Sequence, residues 1–165
     1  MSNEEQNVDG DAVTPQTLGA TASSGARILE PEAALAFAIS AAQSLQDDKC
    51  SDVRVLDVTG ISPVTGYIVI GSGTSARQMR SSLENIDELA EELGSSAYAI
   101  SADDSALWLL ADFVDVVVHL FEPNARAHYD LESLWSQAGR VEVPASDRRR
   151  AHQGDGTGED AGDEA

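Results

Sequence analysis

The residues that could support chemistry in this chain are concentrated between positions 108 and 135. This stretch, WLLADFVDVVVHLFEPNARAHYDLESLW, contains two acids three positions apart, Asp112 and Asp115, and a histidine after a valine run, His119. It also holds both tryptophans of the chain, Trp108 and Trp135. Paired carboxylates suggest a divalent-metal site, and a histidine suggests acid–base or nucleophilic catalysis. Each of these functions competes with a purely structural role.

The two aspartates do not have the spacing of a metal-binding pair. Successive side chains of a strand point to opposite faces of the sheet, so residues three apart diverge. Aspartates at a turn commonly accept hydrogen bonds from backbone N–H groups. We therefore predict no metal site, and either a turn-capping role or contact with a basic partner for Asp112 and Asp115.

Nucleophilic catalysis has no clear candidate residues. His119 ends an apolar strand, where a histidine usually hydrogen-bonds to a neighbour inside the fold. The single cysteine, Cys50, follows a polar helix end and has no histidine near it in sequence. A catalytic pair needs both groups within hydrogen-bonding reach. The sequence therefore predicts no catalytic residues and no cofactor.

A short glycine-rich loop, GSGTS at residues 71–75, lies between a predicted strand and a predicted helix. Backbone N–H groups and the helix dipole attract anions at such a position. The loop lacks the lysine of a Walker motif and does not match the G-x-G-x-x-G fingerprint. Its glycines fit a tight strand-to-helix turn. A nucleotide-binding or nucleotidyltransferase-like enzyme that uses this loop is the alternative hypothesis for function.

The two tryptophans are predicted to have different roles. Trp135 shares a helical face with Leu131 and Leu134, which indicates a core position. Trp108 follows a polar segment and begins a predicted hairpin arm. Tryptophan is the residue most enriched at binding hot spots, so we interpret Trp108 as an interface residue.

The elements that position these residues form an α/β fold, with a mixed β-sheet of about five strands and helices packed on it. A helix is predicted from Pro31, a second after the Ser75–Gln78 capping box up to Gly94, and a short third from Pro123. The β-branched and apolar runs predict strands at 53–58, 67–70, 97–101, 107–111 and 116–121. The first two are expected to pair as an antiparallel hairpin, and the last two to pair through a turn at 112–115.

Composition divides the chain into one domain with two tails. Residues 1–27 and 144–165 are rich in Gly, Ser, Thr and acids with no apolar period, and we predict that both are disordered acidic tails. The domain at 28–143 carries nineteen acidic and six basic residues, a net charge of −13 out of −19. The Arg148-Arg149-Arg150 triplet could touch RNA, but beside an acidic tail we expect it to stay solvated.

The charge of the domain restricts its partners. An acidic surface is repelled by phosphate backbones, so we expect little direct contact with nucleic acid and steering toward a basic protein surface. Charge that serves only solubility is the plainer explanation. No membrane-spanning run and no secretory signal is visible, and a single cysteine fits a reducing compartment. We expect a cytoplasmic protein without a membrane partner.

Five motifs occur in an order that resembles the Iojap/RsfS family of ribosomal silencing factors. These motifs are LDV (56–58), GYIVIGSGTS (66–75), W-x-L (108–110), DFVDVVVHLF (112–121) and R-x-x-YDLESLW (126–135). The similarity covers about residues 31–138. It implies a small α/β fold with a nucleotidyltransferase-like outline but without catalytic carboxylates.

The same resemblance implies a binding activity in place of catalysis. Members dock on the large ribosomal subunit through its fourteenth ribosomal protein, block joining of the small subunit sterically and repress translation under nutrient limitation. Some members form homodimers, so the resemblance also allows a homodimer here. A generic acidic protein-binding module unconnected to the ribosome is a third hypothesis.

The resemblance also indicates which residues contact the partner. The family's exposed tryptophan and the acids around its hairpin match Trp108, Asp112 and Asp115. Phe113 is expected to act beside Trp108 as an apolar anchor. The remaining predicted partner-binding residues are Leu110, His119, Tyr129, Asp130 and Glu132.

Three positions depart from the family pattern. Gly66 stands where an aspartate is common, and Ser101-Ala102 stands where a Glu-Gly pair is usual. Phe113-Val114 replaces a Tyr-Gly pair inside the hairpin turn. Because a β-branched valine disfavours positive φ, the sequence leaves the type of this turn open.

Overall fold

The structure, a computed structural model, describes residues 28–102 and 105–148. The predicted N-terminal tail and most of the predicted C-terminal tail lie outside these ranges. The elements follow in the order α1 (Pro31–Asp47), β1 (Ser51–Asp57), β2 (Tyr67–Ser72), α2 (Ala76–Glu92), β3 (Ala99–Ala102), β4 (Trp108–Asp112), β5 (Val116–Phe121), α3 (Pro123–Tyr129), α4 (Leu131–Leu134) and β6 (Gly139–Val141). None of the described helices is long and apolar enough to cross a membrane.

The strands form one mixed sheet in the order β3-β4-β5-β2-β1-β6. β2 and β5 are parallel, and the other neighbours are antiparallel. This confirms the predicted α/β class, the β1–β2 pair and the β4–β5 hairpin. The sixth strand was not predicted, because Gly139-Arg140-Val141 has one apolar residue and no alternation. Pairing with Val55, Leu56 and Asp57 of β1 makes it a strand.

Helices α1 and α2 cover one face of the sheet and form the larger core cluster with it. Alanines dominate the buried stripe of α1, which lets the helix approach the sheet closely, and Phe37 is its largest buried side chain. Leu35 and Ile39 also have the helical spacing of this stripe, but both are only half-buried. Phe37 instead meets Phe113 edge to face, with ring centroids 5.1 Å apart.

The opposite face of the sheet is covered only in part, by α3, α4 and the turn that follows them. A smaller core cluster forms there around Ile70 and Phe121, with Trp135 and Leu131 packed against it. The predicted core position of Trp135 agrees with this packing. Leu134 does not share it and is 73% exposed. No helix of the described residues covers the part of this face formed by β3, β4 and β5.

The glycines of the 71–75 segment serve packing. A Cβ at Gly71 would lie 3.1 Å from Leu120 Cδ2, and a Cβ at Gly73 would lie 2.3 Å from Met79 Cγ. Gly73 N–H donates to Phe121 O at 2.9 Å, so this donor is already used within the fold. The structural explanation of the glycines is therefore supported.

Helix α2 begins with half of the predicted capping box. The Ser75 hydroxyl accepts from the Gln78 N–H at 3.1 Å, as its spacing indicated. The Gln78 amide oxygen accepts from the N–H of Thr74 at 2.7 Å and not from that of Ser75. At the other end, Gly94 has φ +72°, the left-handed conformation expected just past a helix.

The ordered chain continues beyond the predicted domain end at Val143. The Pro144 carbonyl accepts a hydrogen bond from Gln43, and Ser146 is buried with its hydroxyl on Asp47. The boundary predicted between 143 and 144 stays a prediction, but the two bonds reveal an attachment of this segment to α1. Composition does not reveal it, because two side-chain hydrogen bonds and no apolar pattern hold this segment.

The close packing at Gly73 predicts a measurable cost for a single methyl group. Gly73→Ala is expected to lower the free energy of unfolding by about 1–3 kcal/mol, because Met79 must shift from its buried position. Gly139→Ala is the matched control, since its Cβ would lie 3.6 Å from Asp57 Cβ, an ordinary contact. Urea denaturation of both variants measures the difference. Equal stability of the two would contradict the close-packing explanation.

Candidate functional site

The uncovered part of the sheet is formed by alternate residues of β4 and β5. Leu109 and Ala111 of β4 point into the larger core. Strand alternation therefore directs Trp108, Leu110 and Asp112 to the other face, where each is partly exposed. We call this region the open face.

Trp108 is held in a cluster of aromatic rings on the open face. Its ring lies 5.0 Å from Phe121, 5.8 Å from His119 and 4.8 Å from Tyr129 between centroids. Tyr129 is the outermost of these rings and is 49% exposed. The aromatic cluster (Trp108, His119, Phe121, Tyr129) thus has a buried base and an accessible rim. Trp108 is partly exposed here and also packs against the smaller core cluster, and its interpretation as an interface residue stays a prediction.

His119 stacks against Trp108 and forms a hydrogen bond with it. Its Nδ1 accepts a hydrogen bond from the Trp108 indole N–H at 3.2 Å, so a neutral ring carries its proton on Nε2. Burial lowers the pKa of His119 to about 4, which keeps the ring neutral near pH 7. The side chain is 7% exposed. The prediction that His119 itself contacts a partner is therefore corrected: it orients the indole from inside the fold.

The hairpin turn is closed by Asp112. One carboxylate oxygen accepts from the Val114 N–H at 2.8 Å, which confirms the predicted capping role for this residue. Val114 has φ +72°, so the left-handed conformation that the sequence left open is adopted by a β-branched residue. Such a conformation is strained for valine and persists because its surroundings impose it.

The other two residues of the turn motif point away from the open face. Phe113 is 1% exposed and packs on Phe37 in the core, so the prediction that it anchors a partner is wrong. Asp115 accepts from the Leu29 N–H at 2.7 Å through its side chain, and its carbonyl accepts from Gly66 and Tyr67. Asp115 therefore fixes the entry to α1 and the start of β2.

Arg126 is a buried residue that sequence reasoning did not single out. Its Nη2 lies 2.6 Å from Glu132 Oε1, and its Nη1 donates to Ser72 Oγ and to Asp52 O. Glu132 is thus paired inside the chain, and its assignment to a partner interface stays a prediction. Nothing in the spacing reveals this set, because Ser72 and Asp52 are distant in sequence. Asp130 remains exposed, and it accepts from the Ser133 hydroxyl.

A shallow cleft adjoins Asp112 on the open face. It has a volume of about 300 Å³. Tyr98 and Val64 are its most exposed lining residues, at 53% and 78%. The remaining lining residues are Thr65, Asp112, Val114 and Val117. Neither Tyr98 nor Val64 was predicted, although a lone tyrosine beside a weak strand was an available signal.

The open face carries both apolar and acidic side chains. It presents aromatic and aliphatic surface beside the carboxylate of Asp112. Within residues 28–102 and 105–148, no group of three His, Cys, Asp or Glu side chains is placed to hold a metal ion. Cys50 is buried 3.8 Å from Ser82 Oγ, and burial raises the pKa of its thiol.

The buried histidine predicts a specific pH dependence. The pKa of His119 in the folded protein lies below its value of about 6.5 in the unfolded chain. With respect to this group, the protein therefore has its full stability above about pH 6.5, and it loses stability as the pH falls toward 4, because the unfolded chain takes up the proton first. The loss should approach about 3 kcal/mol relative to a chain without this group. Urea denaturation of wild type and His119→Asn between pH 7 and pH 4 measures it. Parallel profiles for the two proteins would refute it.

The strained turn predicts an unusual order of stabilities. Val114→Gly should be more stable than Val114→Ala by about 1 kcal/mol, because glycine adopts positive φ without a steric penalty. Val117 supplies the control, since it lies in strand β5, where glycine should be the less stable replacement. Thermal unfolding of the four variants tests whether the order reverses between the two positions.

Comparison with known proteins agrees with the sequence resemblance. The family model described as ribosomal silencing factor during starvation, RsfS, matches residues 31–164. The Bacillus subtilis protein named ribosomal silencing factor RsfS is 38% identical over 98 residues, or 59% of this chain and 83% of that protein.

Two further relatives extend the comparison. A mouse protein named mitochondrial assembly of ribosomal large subunit protein 1 is 35% identical over 95 residues, or 56% of this chain and 42% of its own length. A crystal structure from Chromobacterium violaceum has a TM-score of 0.58 at 27% identity and is matched over 95% of its length by 72% of this chain. Because the family model spans most of its length, the chain belongs to the RsfS family of ribosomal silencing factors.

Proposed function

We propose that this protein binds the large ribosomal subunit through its fourteenth ribosomal protein and blocks joining of the small subunit. The bound factor would act by occupying space at the inter-subunit surface and would repress translation under nutrient limitation. It needs no cofactor for this role, and it would work in the cytoplasm, where its ribosomal partner is found.

Family membership supports the ribosomal part of the proposal. Relatives of this chain carry the name ribosomal silencing factor. The name of the mouse relative refers to assembly of the ribosomal large subunit. We carry the large subunit over to this chain as the site of binding.

Charge supports a protein partner over an RNA partner. Residues 28–143 carry a net charge of −13, which opposes contact with phosphate backbones. A basic ribosomal protein offers the opposite potential, which speeds encounter and gives a salt-dependent affinity. Asp112 adds a carboxylate to the open face at the end of β4 opposite Trp108.

The aromatic cluster is the observation that carries the proposal. Trp108 is fixed in one orientation by His119 and Phe121 beneath it, so little side-chain entropy remains to be lost on binding. Tyr129 and Leu110 extend the apolar surface around the indole. A rigid, partly exposed tryptophan is typical of a binding hot spot.

The proposed contact residues are revised accordingly. Trp108, Leu110, Asp112, Tyr129, Asp130 and Glu132 stay in the set. Phe113 and His119 leave it because the fold uses their side chains, and Asp115 becomes a residue that orders the edge of the face. Tyr98 and Val64 join it through the cleft beside Asp112.

Replacement of the anchor should weaken binding strongly. Trp108→Ala and Tyr129→Ala are each expected to raise the Kd for the purified fourteenth large-subunit protein at least about tenfold, as hot-spot truncations do. Ile100→Ala is the matched control, because Ile100 is an exposed apolar residue of the same sheet. It pairs with Ala111, which points into the larger core, so the Ile100 side chain lies on the side opposite the open face. Calorimetry measures the affinities, and circular dichroism verifies that each variant is folded. Unchanged affinity of both folded variants would overturn the proposed face.

The charge of Asp112 can be tested without loss of its cap. Asp112→Asn keeps an oxygen that can accept from Val114 N–H, so the turn should persist. Its affinity should fall a few-fold, and the salt dependence of binding should become shallower.

Subunit joining tests the blocking mechanism itself. Purified subunits mixed with wild-type protein should yield fewer intact ribosomes on a sucrose gradient, and Trp108→Ala should restore them. Tight binding to the large subunit with undiminished joining would contradict the steric block while leaving the partner intact. A shift of the protein into a dimer that excludes the subunit would point to self-association through the same face.

A further inference from the structure

Helix α3 is attached to the sheet by two side chains that reach in different directions. Arg126 and Tyr129 are three positions apart, so they lie on the same face of the helix. The Tyr129 ring packs over β4 and β5, with its centroid 4.8 Å from that of Trp108 and 6.1 Å from that of Phe121. The Arg126 side chain extends to β1, β2 and α4 and is almost fully buried.

The guanidinium of Arg126 binds three elements at once. Its Nη1 donates to Asp52 O of β1 at 2.8 Å and to Ser72 Oγ of β2 at 2.9 Å. Its Nε and Nη2 both donate to Glu132 Oε1 of α4, at 2.9 and 2.6 Å. The planar fork of arginine makes these bonds simultaneously, which the single ammonium of a lysine cannot do.

The chain turns sharply beside Arg126 at the junction of α3 and α4. Asp130 ends α3 in the left-handed conformation, with φ +45°, and its N–H donates to Arg126 O at 2.9 Å. This turn brings Glu132 back to the guanidinium. Arg126 thus binds both sides of the junction, through its carbonyl and through its side chain, and Tyr129 lies directly before the turn.

We propose that Arg126 is a positioning residue for Tyr129 and, through it, for the rim of the aromatic cluster. Helix α3 has seven residues, and its other buried side chain is the methyl group of Ala125. So short a helix has little stability of its own, so its position depends on these contacts. The effect on partner binding rests on the proposed function, whereas the position of the ring can be tested on the protein alone.

Nuclear magnetic resonance of the full-length, nitrogen-15-labelled protein tests the position of the ring. The ring current of Tyr129 contributes to the chemical shift of the Trp108 indole N–H, because the two rings are in contact. Arg126→Lys keeps the charge and loses the fork, so this signal should move by more than its line width. In a Tyr129→Leu background the same substitution should leave the signal in place.

Arg80→Lys is the matched control for this measurement. Arg80 is exposed on α2, which covers the other face of the sheet, so the same chemical change there should leave the Trp108 signal unmoved. Ser72→Ala removes one of the four guanidinium bonds and should move the signal less than Arg126→Lys does. It also serves as the test where Arg126→Lys does not fold. An unmoved Trp108 signal in a folded variant of either kind would overturn the inference.

Affinity for the fourteenth large-subunit protein provides the second measurement. Arg126→Lys should raise the Kd about fivefold, and it should raise it no further when Tyr129→Ala is already present, because residues that act through one another are not additive. Equal losses with and without the Tyr129 ring would show that Arg126 acts by another route and would overturn the inference. A moved Trp108 signal with unchanged affinity would support the positioning role and contradict the proposed binding face.

Discussion

Side-chain alternation in the β4–β5 hairpin is the constraint on which the rest of this structure depends. Leu109, Ala111, Val116 and Val118 enter the core beneath α1 and α2. The residues between them are thereby directed to the opposite face, which neither of the two long helices, α1 and α2, covers. A change of register by one residue would exchange these sets and bury Trp108 under the helices. The parallel pairing of β5 with β2 over Tyr67 to Ser72 fixes that register.

The open face combines a rigid interior with an accessible rim. Burial keeps His119 neutral, and its hydrogen bond and the Phe121 ring hold the indole in place. The turn residues Asp112 and Asp115 contribute by ordering backbone, one within the hairpin and one at the entry to α1. Asp112 and Asp115, which the sequence suggested as a possible metal-binding pair, thus serve mainly to order the backbone around the open face. The aromatic side chains provide its exposed surface.

The sequence was sufficient where the signal is local. The run of β-branched and apolar residues located β5, and the Ser75 cap and Gly94 located the ends of α2. It failed where contacts between distant segments decide the outcome: Phe113 turns into the core because Phe37 is there to receive it, and Arg126 is satisfied by Ser72, Asp52 and Glu132. The strand β6 and the seated segment after it lack any apolar period, so only their partners reveal them.

The two edge strands of the sheet affect the tendency of this protein to aggregate at high concentration. Its outermost strands, β3 and β6, contain four and three residues. An edge strand of this length exposes few unpaired backbone groups. Proteins use short edge strands to prevent edge-to-edge pairing between molecules. An acidic chain with such short edge strands can expose an apolar face while resisting fibrillar aggregation.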